Sequence, residues 1–237
     1  MTMPTVTSGL HPVRRSPLAA EHERLGATWI SDRAHWPATY GSVEEERAAV
    51  RSAAGLVDLG PLVKLSVSAP DVAAGLGHVG LHGEVGEIAP RPLAGVSVDA
   101  WFLAPDEALL VHQPANPGDP AASERAFAAL RSAGFAPVEL SSGIAVLVLA
   151  GPSARQVLGD CYPVDVHARV LPDRQLTSGP IAGIRARVGR LDRGGVTSFT
   201  LLVARDLAVS LWMTLVEVGE VHGLRPVGVD ALSGGST

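Results

Sequence analysis

The sequence predicts an α+β protein in a single domain, 1–237, built from two similar halves. Three observations carry that expectation. The chain has 237 residues, 46% apolar and only 18% charged, enough to bury a sizeable core. Runs rich in Val, Leu and Ile alternate with segments that carry helix-capping residues. Short strings also recur in the same order along the chain.

Composition excludes several classes. The apolar content does not fit a disordered chain. A net charge of −5 and an aromatic content of 4% argue against a nucleic-acid binder. The single cysteine, Cys161, rules out an internal disulfide framework and any multi-cysteine metal site. The first ten residues lack a signal-peptide core, and no uninterrupted apolar run reaches the length of a membrane span. The expected protein is therefore soluble and cytoplasmic, with a small-molecule substrate, no membrane or nucleic-acid partner and no metal.

The elements follow in chain order. Ser16-Pro17 opens a short helix that Gly26 closes, since proline suits the first turn and glycine the left-handed cap. Ser42-Val43-Glu44-Glu45 fits a capping box, leading a helix that stops at Gly55. Asp119-Pro120 starts a helix with Ala122, Ala126, Phe127 and Leu130 on one face before Gly134. Asp206 caps a largely apolar helix over 207–218. Strands are expected over 62–68, 96–103, 108–112, 144–150, 181–188 and 197–204.

Three pairs of strings define the repeat. Leu65-Ser66-Val67-Ser68-Ala69-Pro70-Asp71 matches Leu147-Val148-Leu149-Ala150-Gly151-Pro152-Ser153. Leu93-Ala94-Gly95-Val96 matches Ile181-Ala182-Gly183-Ile184, and Gly134-Phe135-Ala136-Pro137-Val138 matches Gly223-Leu224-Arg225-Pro226-Val227. The offsets are 82, 88 and 89 residues. They predict two strand–helix–strand–strand–helix–strand units, over 62–140 and 145–229, around a central cleft. Residues 1–60 would wrap that core.

Most motifs that could carry chemistry have a structural explanation. Gly75-Leu76-Gly77-His78-Val79-Gly80 has dinucleotide-type glycine spacing, but a proline-started helix precedes it and a broken segment follows, so it reads as a turn. His78 and His82 have metal-pair spacing among helix-breaking glycines, with no third ligand near. Cys161 and His167 would need spatial pairing to form a nucleophile, and Cys161 reads as a packed side chain. Asp192-Arg193-Gly194-Gly195 reads as a hairpin turn. Asp99 stands apart. It interrupts the apolar run Val96-Ser97-Val98-Asp99-Ala100-Trp101-Phe102, with Trp101 on the same face. It is either an outward residue of an edge strand or an inward carboxylate able to bond an amine or a ring nitrogen.

Several strings together resemble the aminomethyltransferase, or glycine-cleavage T-protein, family. They are Ser16-Pro17-Leu18, Tyr40-Gly41-Ser42-Val43-Glu44-Glu45, Val50-Arg51-Ser52-Ala53-Ala54-Gly55-Leu56-Val57-Asp58-Leu59 and Lys64-Leu65-Ser66-Val67-Ser68-Ala69-Pro70-Asp71. Leu149-Ala150-Gly151-Pro152-Ser153-Ala154-Arg155-Gln156-Val157-Leu158 and Cys161-Tyr162-Pro163-Val164-Asp165-Val166-His167-Ala168-Arg169 are similar to the gamma subunit of heterotetrameric sarcosine oxidase, itself a T-protein relative. The resemblance runs from about residue 14 to the end. It implies a folate-binding α+β core without the family's C-terminal barrel.

The resemblance also implies tetrahydrofolate, or a molecule replacing it, as cofactor, and one-carbon transfer to or from a small substrate as activity. Asp99 takes the place of the family's catalytic aspartate, and Gln113, Asn116 and Arg187 are the implied cofactor contacts. The family's pterin-gripping hairpin falls on Arg187-Val188-Gly189-Arg190-Leu191-Asp192-Arg193, where the glutamate is replaced by a basic residue or displaced to Asp192. A second reading is a non-catalytic subunit like the sarcosine oxidase gamma chain, partnered with a flavin-dependent amine oxidase. A third is the same cleft turned to another small-molecule reaction.

Overall fold

A computed structural model describes residues 14–31, 34–112 and 120–232. The N-terminal part runs β1 (Arg14–Arg15), α1 (Ala19–Arg24), β2 (Thr28–Ser31), β3 (Ala34–Thr39), α2 (Val43–Ser52) and β4 (Ala54–Asp58). There follow β5 (Lys64–Ser68), α3 (Val72–Gly77), β6 (Ile88–Leu93), β7 (Val96–Ala104), β8 (Glu107–His112), α4 (Pro120–Ser132) and β9 (Val138–Glu139). The rest is β10 (Ile144–Ala150), α5 (Ala154–Cys161), β11 (Leu176–Ile181), β12 (Ile184–Arg190), β13 (Ser198–Ala204), α6 (Ala208–Gly219), β14 (Leu224–Pro226) and α7 (Val229–Leu232).

The strands form a small sheet, β1-β3-β2, and two large open ones. The five-stranded sheet has the order β6-β7-β8-β5-β9, and the six-stranded sheet β11-β12-β13-β10-β4-β14. Each thus places a three-strand meander at one edge, then the strand that precedes the first helix, then the closing strand. The sheets differ by one strand, β4, which separates β10 from β14. The hairpins β6–β7 and β11–β12 also turn alike. Ala94 and Ala182 are both left-handed, with φ of 49° and 47°, and each is followed by a left-handed glycine.

Alternation along the strands makes four layers. Val98, Phe102 and Leu110 face outward onto Leu76 of α3 and onto Ala126 and Leu130 of α4. Leu147, Leu149 and Leu201 face outward onto Val157 and Leu158 of α5 and onto Leu211, Trp212 and Leu215 of α6. The inner faces share a third core, in which Ile88, Trp101, Leu109 and Val111 meet Val146, Val148 and Leu202.

Caps account for several boundaries. Ser42 Oγ accepts from Glu45 N at 3.3 Å, and Asp71 Oδ1 accepts from Ala74 N at 2.9 Å. Four expectations need correction. Residues 54–58 do not stay in an outer wrap: β4 is fully buried in the six-stranded sheet. The broken-looking stretch before Leu93 contains β6, whose edge position tolerates Pro90 and Pro92. Residues 181–188 are not one strand, because the chain reverses at Ala182-Gly183. Asp206 does not cap α6. It sits in a 3-10 turn, Arg205–Leu207, and the helix begins after it with no side-chain cap. Asp119 lies outside the described residues, as does the start of its expected cap. Among the described residues no helix is long and apolar enough to cross a membrane, and no three His, Cys, Asp or Glu side chains converge as metal ligands.

Candidate functional site

Asp99 faces inward. Strand β7 is the second strand of its sheet, not the edge, and Asp99 pairs with Pro90 on one side and Val111 on the other. It is 4% exposed. The two-residue period puts it on the face of Trp101, against the other sheet. Along that face Trp101 is fully buried, and strand β12 comes so close that a Cβ on Gly189 would lie 2.3 Å from both Trp101 and Ile88. At the level of Trp101 the seam between the sheets is closed.

Arg193, which the sequence marked only as part of a turn, is near enough to Asp99 to interact with it electrostatically. Arg193 and Val196 pair at the β12–β13 turn, with Gly194 and Gly195 both left-handed at φ of 57° and 78°. Leu191, two residues earlier, is anchored in the inner core. Burial lowers the Arg193 guanidinium from its ordinary value, while Asp99 pulls it back up. The Arg193 Nε is shielded from solvent without a partner. Asp192, its neighbour, is already engaged. Its carboxylate accepts from Arg190 Nε at 3.1 Å and Nη2 at 2.7 Å, and from Ser198 N at 3.2 Å. Trp101 Nε1, Trp36 Nε1 and Thr200 Oγ1 in the same inner layer also lack protein partners.

The remaining candidates are placed differently. Arg187 is 38% exposed and lies 3.6 Å from Glu107. Glu107 opens β8 and pairs with Ala104, on the far side of Trp101 from Asp99. Arg187 and Asp99 therefore sit toward opposite ends of the seam. Gln113 and Asn116 lie outside the described residues. Cys161 donates to Val157 O at 3.3 Å, and burial pushes its thiol up to about 11, which leaves a packed side chain rather than a nucleophile.

A second polar cluster was not anticipated. His22 and Asp58 are both fully buried, with Nε2 and Oδ2 2.8 Å apart. The carboxylate accepts, so Nε2 carries a proton, and Nδ1 is hydrogen-bonded to the Tyr40 hydroxyl at 2.7 Å. Asp58 Oδ1 accepts from Gly60 N at 2.7 Å. Gly60 O in turn accepts from Lys64 Nζ at 2.6 Å, and Ile144 O accepts from the same amine at 2.8 Å. Burial lowers Lys64 to about 7. Two signals marked this cluster: the only lysine of the chain, and an aspartate within the apolar run Val57-Asp58-Leu59.

The chemistry of the Asp99 end can be tested against tetrahydrofolate. A pterin presents an edge of N–H donors, which Asp99 can accept. The guanidinium of Arg193, which acts electrostatically on Asp99, is also a donor, and Asp192 is held by Arg190. The described residues fit an amine at Asp99. They do not fit a pterin held by carboxylates from both sides.

Comparison with known proteins places this geometry. The profile of the GCVT N-terminal domain matches residues 107–234. Aminomethyltransferases from Streptomyces coelicolor and a Geobacillus species are 33% and 32% identical, each over 92% of this chain. The chain spans 60% and 62% of their lengths. Among solved structures, the glycine cleavage system aminomethyltransferase T of Bartonella henselae superposes with a TM-score of 0.75 at 23% identity, covering 93% of this chain and 61% of that one. The heterotetrameric sarcosine oxidase of Corynebacterium sp. U-96 superposes with a TM-score of 0.62, also at 23% identity, over 90% of this chain and 98% of the matched chain. With more than half of its residues matched by the profile, the chain belongs to the GCVT N-terminal domain family.

Proposed function

We propose that the protein transfers a one-carbon group, methyl or methylene, to or from a small amine, with Asp99 as the catalytic residue. The observation that carries the reading is a carboxylate buried on the inner face of a family fold, with a buried arginine, Arg193, acting on it electrostatically. Asp99 orients the amine by accepting its N–H. It takes that proton when the nitrogen must be free and returns it when the nitrogen leaves. Water exclusion at 4% exposure strengthens both interactions. No covalent enzyme intermediate is involved. When bound, tetrahydrofolate would accept or supply the one-carbon unit. The Arg193 guanidinium, a donor that acts electrostatically on Asp99, favours a molecule replacing it. Arg187, Gln113 and Asn116 remain the proposed cofactor contacts. The matching strand orders of the two large sheets support reading them as copies of one unit around the site.

Two measurements test this reading. Calorimetric titration with tetrahydrofolate that gives no heat at high micromolar concentration removes that cofactor. Turnover of 13C-methyl-labelled amines, followed by NMR, should fall ~10²–10⁴-fold in Asp99→Asn; unchanged turnover removes Asp99 from the chemistry.

A second reading, an accessory subunit beside a flavin-dependent oxidase, is favoured by the near full-length superposition on one chain of the sarcosine oxidase. Purification separates the two: a homogeneous protein that turns over amines alone excludes an obligate subunit.

A further inference from the structure

We propose that Trp101, seated on Gly189, is the specificity-determining residue of the site. Its indole fills the layer between the sheets, so Asp99 meets a small aliphatic amine and a bicyclic ring such as a tetrahydropterin is shut out. The proposal rests on the reading of Asp99 as the residue that meets the amine, and it adds the size of that ligand.

The barrier follows from the pairing of the strands. Trp101 pairs with Ile88 on one side and Leu109 on the other, and all three are buried in the inner core. Across the seam, Gly189 pairs with Leu176 and Thr200. A Cβ on Gly189 would run into Trp101 Cη2 and Cζ3 and into Ile88 Cδ1. The far edge of the indole therefore rests on the backbone of β12. Facing sheets stand about 10 Å apart, and a tryptophan set against a glycine crosses that gap alone. Asp99 lies one two-residue step to one side of this wall. Arg187, beside Glu107, lies past it on the other. A flat ring reaching from Asp99 towards Arg187 would have to occupy the volume of the indole.

Packing alone does not call for tryptophan here. Leucine and phenylalanine, the usual fillers of an apolar layer, bring no donor into it, but they have less reach towards the β12 backbone. Trp101 is fully buried and its Nε1 has no partner, although a buried indole usually finds one and an unmatched donor is costly. Thr200 Oγ1, on the residue paired with Gly189, is left without a partner in the same way. The cost falls where the bulk of the side chain closes the seam, which suits a barrier better than a core filler.

The test removes the indole and measures what the seam then admits. Trp101→Ala opens the larger space, and Trp101→Leu, the milder change, serves if the first unfolds. Two flat bicyclic probes are added to the ligand-free protein: indole and 6-methyltetrahydropterin. Calorimetry reads binding, and the urea midpoint reads both the fold and its stabilisation by the probe. The variants should take up indole, as truncated apolar sites do. They should also bind 6-methyltetrahydropterin at least ~10-fold tighter than the wild type. The wild type should take up neither probe at high micromolar concentration. Three results each overturn the proposal: a wild type that binds the pterin as tightly as the variants, folded variants that refuse indole, and variants that take up indole but gain no affinity for the pterin. Neither probe requires turnover, so the two readings fail separately. If Asp99→Asn leaves amine turnover intact, the catalytic reading falls and the barrier stands on the ring probes. If the wild type binds the pterin, the barrier falls and the reading of Asp99 is untouched.

Discussion

Two buried groups of charged residues in this fold invite comparison. Around Asp58 the polar groups are bonded to one another: Tyr40, His22, Asp58, Gly60, Lys64 and Ile144 form one continuous chain of hydrogen bonds. Asp99 and Arg193 act on each other electrostatically, and the Arg193 Nε is buried without a partner. Both groups lie among apolar side chains, so burial alone does not set them apart. Completeness does. A satisfied network fixes one arrangement of the chain, and here it fastens α1, the end of β3, β4, β5 and the start of β10 together. An incomplete one keeps donors in reserve for something that is not the protein.

The comparison can be broken most sharply at Asp58. Asp58→Ala leaves His22, Gly60 N and the lysine charge without a counterpart and should cost about 3–5 kcal/mol of stability by urea unfolding. Arg193→Met, by contrast, should move the same midpoint little, since its buried Nε has no partner to lose; a loss as large as that of Asp58→Ala would make the two groups alike and would sink the distinction. Lys64 comes next. Its amine has an ordinary value of 10.5 in the unfolded chain and about 7 in the fold. Between those values the unfolded chain holds a proton that the fold does not, so stability should rise with pH, by up to ~1.4 kcal/mol per pH unit, and this term should be flat below about 7. Lys64→Met should abolish that slope. The smallest effect is at the rim: Tyr40→Phe removes one bond to His22 and should cost about 1 kcal/mol, with the pH slope retained.

How far the sequence disclosed this contrast depends on range. Caps and turns were legible because their residues are neighbours: Ser42 with Glu45, Asp71 with Ala74, and Arg193 to Val196 around two glycines. The inward side of Asp99 followed from its alternation with Trp101 once β7 proved to be an inner strand. Strand β4 was hidden because Ala54-Gly55-Leu56-Val57-Asp58 is buried on both faces and shows no alternation. Strand β6 was hidden by prolines that only an edge can carry. The electrostatic interaction of Asp99 with Arg193 was beyond reach, since it joins residues of different sheets and nothing local to either refers to the other. The course of β12 past Trp101 places Arg187 beside Glu107, away from Asp99.

Strand β4 also bears on how the molecule can be assembled. Residues 54–58 are clasped between residues 147–150, antiparallel, and residues 224–226, parallel. The six-stranded sheet therefore cannot finish folding from its own stretch of chain; it waits for a segment made about ninety residues earlier. Such long closures slow folding. They also mean that a polypeptide cut between the halves would carry, on its second piece, a slot shaped for a five-residue strand that a separate N-terminal peptide could fill.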